Sequence, residues 1–253
     1  MKRTFRTKEE ARQAVWDQMV AKKVACFPFP PHGRIPNFVG AKAAAKRLFE
    51  IPVFRKAKRI KVNPDAPQRY VRELALQMGK TLFVPTPRLR GGFKCFDPAR
   101  IPRGKLAEAA SLSRGARWAE ERSLKDLPQL DAIVTGSVAV TRYGHRCGKG
   151  EGYSDLEYGI FRELGHKPVP VATTVHEVQV LDDFPRDRLD LPLSFIVTPK
   201  ETINVRPALR GPMGIDWNKL SQEQLAAMPI LSDLSKLKNS RSPVYRSRSR
   251  NKK

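Results

Sequence analysis

The order of apolar and polar residues predicts strands and helices that alternate along the chain. Short apolar segments predict strands at 59–62, 81–84, 130–140, 169–174 and 194–197. Helical patterns with apolar residues three and four positions apart occur at 8–23, 41–48, 69–78, 105–110, 156–164 and 187–189, and one more short helix follows Ser221. Alternation of apolar strands with helices indicates an α/β fold. We therefore expect a mostly parallel open sheet covered by helices on both faces, in three α/β/α layers.

Local signals fix the start of the first helix and one loop. Thr7 and Glu10 have the spacing of a capping box, in which each side chain binds the other residue's backbone N–H. Lys8 and Arg12 are four residues apart, so both lie on one face of this helix. Residues 26–36 are rich in proline, which excludes a helix and predicts an ordered loop.

Composition indicates a globular protein with a basic end. Of the 253 residues 40% are apolar and 29% are charged, which is enough apolar material for a core. We expect one domain over 1–235 and a disordered Ser/Arg/Lys-rich tail over 236–253. The chain has no run of about 18 apolar residues and does not begin with an apolar signal segment, so we expect no membrane association. Its three cysteines form no CxxC pair, which favours a reducing compartment and a cytoplasmic location.

The net charge is +23, and most of the excess lies in residues 1–61 and 234–253. Between these segments basic and acidic residues nearly balance. A field this positive attracts polyanions such as ATP, polyglutamylated cofactors, RNA or acidic lipids. A solvated basic surface without a specific partner is the alternative interpretation.

The segment with the clearest chemical pattern lies between a predicted strand and a predicted helix. Its three alternating glycines are Gly148, Gly150 and Gly152. Alternating glycines let several backbone N–H groups turn towards one point, and a helix N-terminus adds partial positive charge. With Arg146 and Lys149, this pattern predicts an anion cradle of phosphate size. Asp155 is either the helix N-cap or an oxygen ligand for Mg²⁺. A flexible strand–helix turn without a ligand is the alternative.

Residues 136–155 resemble the P-G-x-A-F-D-x-x-G-x-R-L-G-x-G-x-G-Y-Y-D signature of 5-formyltetrahydrofolate cyclo-ligases. Lys8 and Arg12, residues 79–85 and residues 190–198 are similar to further family segments in the expected order. The resemblance covers about 7–205 and is closest to the methenyltetrahydrofolate synthase domain-containing subfamily. It implies an open α/β sheet of the NagB/RpiA/CoA-transferase type.

The resemblance also implies an activity and a set of site residues. The family converts 5-formyltetrahydrofolate to 5,10-methenyltetrahydrofolate with ATP and Mg²⁺. The implied catalytic residues are Arg146, Lys149, Tyr153 and Asp155, with Asp155 as the metal ligand. The implied nucleotide-binding residues are Lys8, Arg12, Arg146, Gly148, Lys149, Gly150 and Gly152. The implied small-molecule partners are ATP and a reduced folate, and Tyr153 is also a candidate contact of the folate.

Two more substrate-binding candidates are expected from their position after predicted strands. Arg88 follows the strand at 81–84, and His176 follows the strand at 169–174. The alternatives are a surface arginine and a packed structural histidine.

The chain also departs from the family pattern, mainly on the folate side. The folate-associated glutamate of the family falls near Asp65, and Ser154 and Leu156 replace the second Tyr and the following Arg of the signature. These departures leave two alternative functions open. One is a closely related ATP-dependent reaction on a substrate other than folate. In the other, an inactive family member binds RNA or a ribonucleoprotein weakly through its basic ends.

Overall fold

The computed structural model of the chain describes residues 3–241, with side chains to residue 237. Its strands are β1 (Ala25–Cys26), β2 (Asn37–Phe38), β3 (Arg59–Val62), β4 (Thr81–Pro85), β5 (Phe93–Phe96), β6 (Ala119–Arg122), β7 (Ala132–Thr135), β8 (Ala139–Thr141), β9 (Arg146–Cys147), β10 (Val171–Thr174), β11 (Val180–Leu181), β12 (Phe195–Val197) and β13 (Thr202–Asn204). Its α-helices are α1 (Lys8–Ala21), α2 (Ala41–Leu48), α3 (Pro52–Lys56), α4 (Arg69–Gln77), α5 (Leu106–Ala109), α6 (Tyr153–Glu163), α7 (Gln222–Ala227) and α8 (Pro229–Arg241).

The main sheet has eight strands in the order β13-β12-β10-β7-β3-β4-β5-β6. Strands β12, β10, β7, β3 and β4 run parallel, with Ile60 of β3 opposite Ala132 of β7 and Leu82 of β4. The antiparallel strands β13, β5 and β6 extend the sheet at its two ends. Parallel central strands place their carboxyl ends along one edge, where α/β sheets form ligand sites.

Helices cover both faces of this sheet, as the expected three-layer α/β/α fold requires. Ile60 and Val62 of β3 pack into one buried cluster with residues of α2, α3, α4 and α5. The opposite face packs on α6 and α8 through residues such as Ile133 and Ile160. Within residues 3–241, no helix combines the length and apolar composition needed to cross a membrane.

Helix α1 forms a third cluster against a small three-stranded sheet of order β11-β8-β9. The predicted capping box is present: the Glu10 N–H donates to Thr7 Oγ1 at 3.1 Å, and the Thr7 N–H donates to Glu10 Oε2 at 3.3 Å. Ala11, Val15 and Met19 are buried, as their spacing predicts. This packing holds the N-terminal turn of α1 beside β9.

Most of the predicted elements are confirmed, and three need correction. The predicted strand 130–140 is two strands, β7 and β8, which belong to different sheets. The chain bends at Gly136, where a Cβ would come within 2.6 Å of Asp65 Oδ2. Residues 187–189 form a turn and not a helix. Helix α8 continues to Arg241, so residues 236–241 of the predicted tail are helical, and residues 242–253 lie outside the described part of the chain.

Candidate active site

A cavity of about 500 Å³ opens where β3 and β4 end and α6 begins. The predicted site residues that line it are Lys8, Arg12, Arg88, Arg146, Gly148, Lys149, Gly150, Gly152, Tyr153 and Asp155. Asn63, Asp65, Glu157 and Asp190 line the same cavity. The structure therefore brings the predicted basic residues and the glycine turn to one place, together with Asp65, near which the family's folate-associated glutamate falls, and three further polar residues.

The glycine turn borders this cavity with its backbone. Gly150 has φ +108°, a conformation that side chains rarely tolerate, and its backbone lies beside the Arg12 guanidinium. Gly152 is the N-cap of α6, and among the described residues no side chain caps this helix. The first N–H groups of α6 and the positive end of its dipole are therefore available to an anion in the cavity.

Each of the four basic residues at the turn is paired with a carboxylate. The pairs are Lys8 with Asp190 (Nζ to Oδ1, 2.5 Å), Arg12 with Glu9 (Nη1 to Oε2, 2.5 Å), Arg146 with Asp155 (Nη1 to Oδ1, 3.2 Å) and Lys149 with Glu151 (Nζ to Oε2, 2.8 Å). The side chains of Glu9 and Glu151 are 72% and 45% exposed. Exposed pairs contribute only about 0–1 kcal/mol because water screens them. Arg12 and Lys149 can therefore exchange their carboxylates for phosphate oxygens.

Arg146 has a different environment, because it is buried and anchors the turn. Its Nε donates to the carbonyl of Gly136 at 3.0 Å, and its Nη1 donates to Asp155 Oδ1. Asp155 Oδ1 also accepts the Leu191 N–H at 2.8 Å. Arg146 thus ties the bend after β7 to the first turn of α6. Asp155 is not the N-cap predicted as one alternative, since Gly152 holds that position.

Asp65 faces the glycine turn from the end of β3. Burial raises the pKa of its carboxyl group, and the charges of Arg72 and Lys149 oppose that rise. Among the described residues, no hydrogen bond reaches the Asp65 carboxylate, while its backbone carbonyl accepts from Arg72 Nη1 at 3.1 Å. A neighbouring cavity of about 400 Å³ is also lined by Asp65 and Lys149. Asp65 is thus a carboxylate held in place by its backbone and free to accept an N–H from a ligand.

A sequence model of the 5-formyltetrahydrofolate cyclo-ligase family matches residues 5–199, which include every residue of the cavity. The chain belongs to this family. It is 44% identical over 236 residues to the methenyltetrahydrofolate synthase domain-containing protein of Mus musculus, and 40% identical over 236 residues to the protein of that name from Homo sapiens. Each match covers 90% of this chain but only 63% and 61% of those relatives, respectively, so the chain spans about three-fifths of their length.

A solved family structure supports the fold assignment. The 5,10-methenyltetrahydrofolate synthetase of Aquifex aeolicus aligns with a TM-score of 0.51 at 18% identity, covering 84% of this chain and 99% of that one. The cyclo-ligase fold expected from the sequence is therefore confirmed, with the mostly parallel sheet at its centre.

His176 is the one predicted site residue that does not line the cavity. Its ring nitrogen Nδ1 accepts the backbone N–H of Val178 at 3.2 Å, and the backbone N–H of His176 donates to Gln179 Oε1 at 2.8 Å. It is the N-cap of a single helical turn and packs edge-on against Phe38. These contacts match the packed structural histidine of the alternative, and the substrate-binding role of His176 stays a prediction. Position after a strand does not by itself direct a side chain into the cavity.

Other candidates are placed as follows. Arg88 is exposed at the cavity and has φ +53°, an uncommon conformation for a side-chain-bearing residue. Cys147 is buried, and the described residues contain no cluster of three or more His, Cys, Asp or Glu that could bind a metal. The RNA-binding alternative depends mainly on the basic tail, and residues 242–253 of that tail lie outside the described part of the chain.

One of the polar residues that were not predicted, Glu157, could have been inferred from the sequence around Lys61. Lys61 lies between the apolar residues Ile60 and Val62 in the predicted strand 59–62, and no role was predicted for it. In a parallel sheet covered on both faces that position is buried, so a lysine there requires a buried partner. The partner is Glu157 of α6.

Proposed function

We propose that this chain binds ATP with Mg²⁺ in the main cavity and converts 5-formyltetrahydrofolate to 5,10-methenyltetrahydrofolate. Membership of the cyclo-ligase family supports the reaction class. The observation that carries the proposal is one cavity bordered by the glycine turn, five basic residues and Asp65. Phosphoryl transfer needs positioning and charge neutralisation more than covalent help from the protein, and this arrangement supplies both.

The phosphate end of the nucleotide is assigned to the glycine turn. The backbone of Gly148, Gly150 and Gly152 and the first N–H groups of α6 surround the β- and γ-phosphates. Arg12 and Lys149 exchange their exposed carboxylate partners for phosphate oxygens, whereas Lys8 and Arg146 keep their less exposed partners, Asp190 and Asp155, and supply charge from fixed positions. The fixed pair lowers the reorganisation needed when charge shifts to the transferring phosphoryl group.

Asp155 fits the role of a magnesium ligand. Mg²⁺ is usually held by one or two carboxylates together with substrate phosphates and waters, so a cage made only of protein is not required. One carboxylate oxygen of Asp155 is occupied by Arg146 and Leu191, and the side chain is 25% exposed at the cavity. Mg²⁺ bound there would neutralise phosphate charge during transfer.

Asp65, Tyr153 and Arg88 form the proposed folate side. The unpaired carboxylate of Asp65 accepts an N–H from the pterin ring, as the shorter counterpart of the family's glutamate. Tyr153 offers a ring face and a hydroxyl to the bound folate. Arg88, exposed at the opening, pairs with the carboxylate end of the folate.

The reaction then needs the formyl group beside the γ-phosphate. The formyl oxygen bonds to the γ-phosphorus while the bond from that phosphorus to the bridging oxygen breaks, which releases ADP. N10 bonds to the activated formyl carbon and loses its proton to solvent, and the carbon–oxygen bond breaks to release phosphate. Lys149 and Arg12 stabilise the charge on the phosphoryl oxygens in the first step.

The test is the absorbance of methenyltetrahydrofolate in a mixture of purified chain, ATP, Mg²⁺ and 5-formyltetrahydrofolate. With the purified chain, we expect product to appear only when ATP, Mg²⁺ and 5-formyltetrahydrofolate are all present. ATP binding without product would reject the folate reaction in favour of another ATP-dependent reaction. No binding of ATP would reject the assignment of the cavity.

We further propose that residues 1–235 form one domain that works in a reducing compartment such as the cytoplasm. Ile230, Leu231 and Leu234 of α8 pack into the same cluster as the main sheet, which supports a single unit. The three cysteines are free thiols, which supports the reducing compartment. A single cooperative unfolding transition would support the single domain, and two separate transitions would contradict it.

A further inference from the structure

A buried ion pair lies directly beneath the main cavity. The ammonium group of Lys61 on β3 bonds to a carboxylate oxygen of Glu157 on α6. The two side chains are only 1% and 4% exposed, and Glu157 also lines the cavity. Burial raises the pKa of Glu157, while the charge of Lys61 opposes that rise.

The pair continues into a hydrogen-bonded chain that crosses the floor of the cavity. Lys61 Nζ donates to Asn63 Oδ1 at 2.6 Å, and Asn63 Nδ2 donates to Ser154 Oγ at 3.0 Å. We call these four residues (Lys61, Asn63, Ser154 and Glu157) the floor network. Two of its members lie at the end of β3 and two lie in the first turns of α6. The network therefore joins the end of β3, next to Asp65 of the proposed folate side, to the start of α6, whose first N–H groups are assigned to the phosphates and whose Tyr153 is assigned to the folate.

Stability alone is a weak reason for this arrangement. Removing two charges from water costs several kcal/mol per ion, and replacing a buried ion pair with apolar residues is often neutral or stabilising. Apolar residues pack on the same face of the sheet, since Ile133 of the neighbouring strand β7 and Ile160 of α6 belong to one buried cluster. An apolar pair would therefore suit the position. An apolar pair, however, could not hold Asn63 through a directed hydrogen bond, as Lys61 does.

The floor network also acts on the neighbours that face the ligands. Asn63 is two residues from Asp65, and Arg72 Nη1 binds the backbone carbonyls of both, at 2.6 and 3.1 Å. Ser154 is adjacent to Asp155 and Tyr153 in the first turn of α6. A shift of one element relative to the other would thus change the separation between Asp65 and the glycine turn.

We infer that the Lys61–Glu157 pair is a positioning device that fixes β3 against α6 and thereby couples substrate binding to nucleotide binding. The inference rests on the proposed function, because it assigns the two ligands to the two elements. Lys61 and Glu157 are positioning residues, since they act through Asn63 and Ser154. Because the floor network ties the end of β3 to the start of α6, a ligand that positions one element also positions the other, and the second ligand meets a site that is already in place.

The test compares the affinity for 5-formyltetrahydrofolate with and without a non-hydrolysable ATP analogue and Mg²⁺. In the wild type we expect the analogue to tighten folate binding at least fivefold, and folate to tighten analogue binding by the same factor. In the double variant K61M/E157L we expect this factor to fall below twofold, while each ligand alone binds within threefold of the wild type. The conservative variant E157Q keeps an acceptor for Lys61 and should retain the coupling.

A matched control separates coupling from stability. Lys80 is also a buried lysine, and its Nζ donates to the carbonyls of Arg55 and Ala57 at 2.7 Å, away from the cavity. K80M should lower stability and leave the coupling factor unchanged. The inference is overturned if the folded K61M/E157L variant keeps the coupling, or if the wild type binds both ligands without coupling. A wild type that binds no folate would instead reject the proposed function itself.

Discussion

Removal of the Lys149 side chain should weaken ATP binding without destabilising the fold. The side chain is 39% exposed, lines the cavity and is paired only with the exposed Glu151 among the described residues. A charge-assisted hydrogen bond to a phosphate contributes about 1.5–3 kcal/mol, which corresponds to about a 10- to 100-fold change in Kd. The loss of an exposed ion pair should change the free energy of unfolding by no more than about 0.5 kcal/mol.

Calorimetric titration with ATP and Mg²⁺ and urea unfolding would measure the two quantities for Lys149→Ala. Lys105→Ala is the matched control, because Lys105 is an exposed lysine paired with Glu108 at 3.0 Å and lies away from the cavity. It should leave both quantities unchanged. The reasoning would be refuted if Lys149→Ala kept its ATP affinity within twofold, or if it lost about 2 kcal/mol of stability, which would indicate a structural role.

Three further predictions follow from backbone strain and burial. Gly150→Ala and Gly165→Ala each place a side chain at a positive φ, +108° and +87° respectively. Each variant should lower the free energy of unfolding by about 1–3 kcal/mol, measured by urea unfolding. Only Gly150→Ala should also weaken ATP binding. Burial raises the pKa of Asp65. The contribution of this carboxyl group to the free energy of unfolding is therefore fully present below the ordinary aspartate pKa of about 3.9 and is lost as pH rises through the raised folded pKa. Asp65→Asn should therefore be more stable than the wild type near neutral pH, with the gain disappearing in acid, and a loss at neutral pH would contradict the burial argument. Burial lowers the pKa of His176. The contribution of the neutral imidazole to the free energy of unfolding is therefore fully present above about pH 6.5 and is lost as pH falls through the lowered folded pKa. His176→Asn should keep the helix cap, flatten this part of the pH profile and leave turnover unchanged, and a large loss of turnover would restore His176 as a site residue.

The elements that sequence reasoning predicted well are those defined by local chemistry. Helix α2 has the predicted bounds, and the Thr7–Glu10 capping box starts α1 where the spacing requires. The glycine turn was found for the same reason, because alternating glycines between a strand and a helix are a local pattern. Sequence reasoning thus placed ten residues at the cavity.

The errors arise where a distant contact decides the outcome. The run 130–140 was predicted as one strand although Thr135, Gly136 and Ser137 interrupt it, and the structure divides it there into β7 and β8, with Gly136 close to Asp65. Strand β6 was missed because it is mostly polar, with residues such as Glu121, and strand β5 was missed because only its pairing with β4 and β6 defines it. No role was predicted for Lys61, because the sequence does not show that Glu157, far along the chain, lies opposite it.

Hydrogen exchange of backbone amides, with and without ATP and Mg²⁺, tests the central claim most directly. If the glycine turn and the first turn of α6 hold the phosphates, ATP should slow exchange at residues 148–155. Exchange in the separate basic cavity beside Arg122 and Lys236 should not change. Unchanged exchange at 148–155, or protection confined to that second cavity, would contradict the assignment of this site.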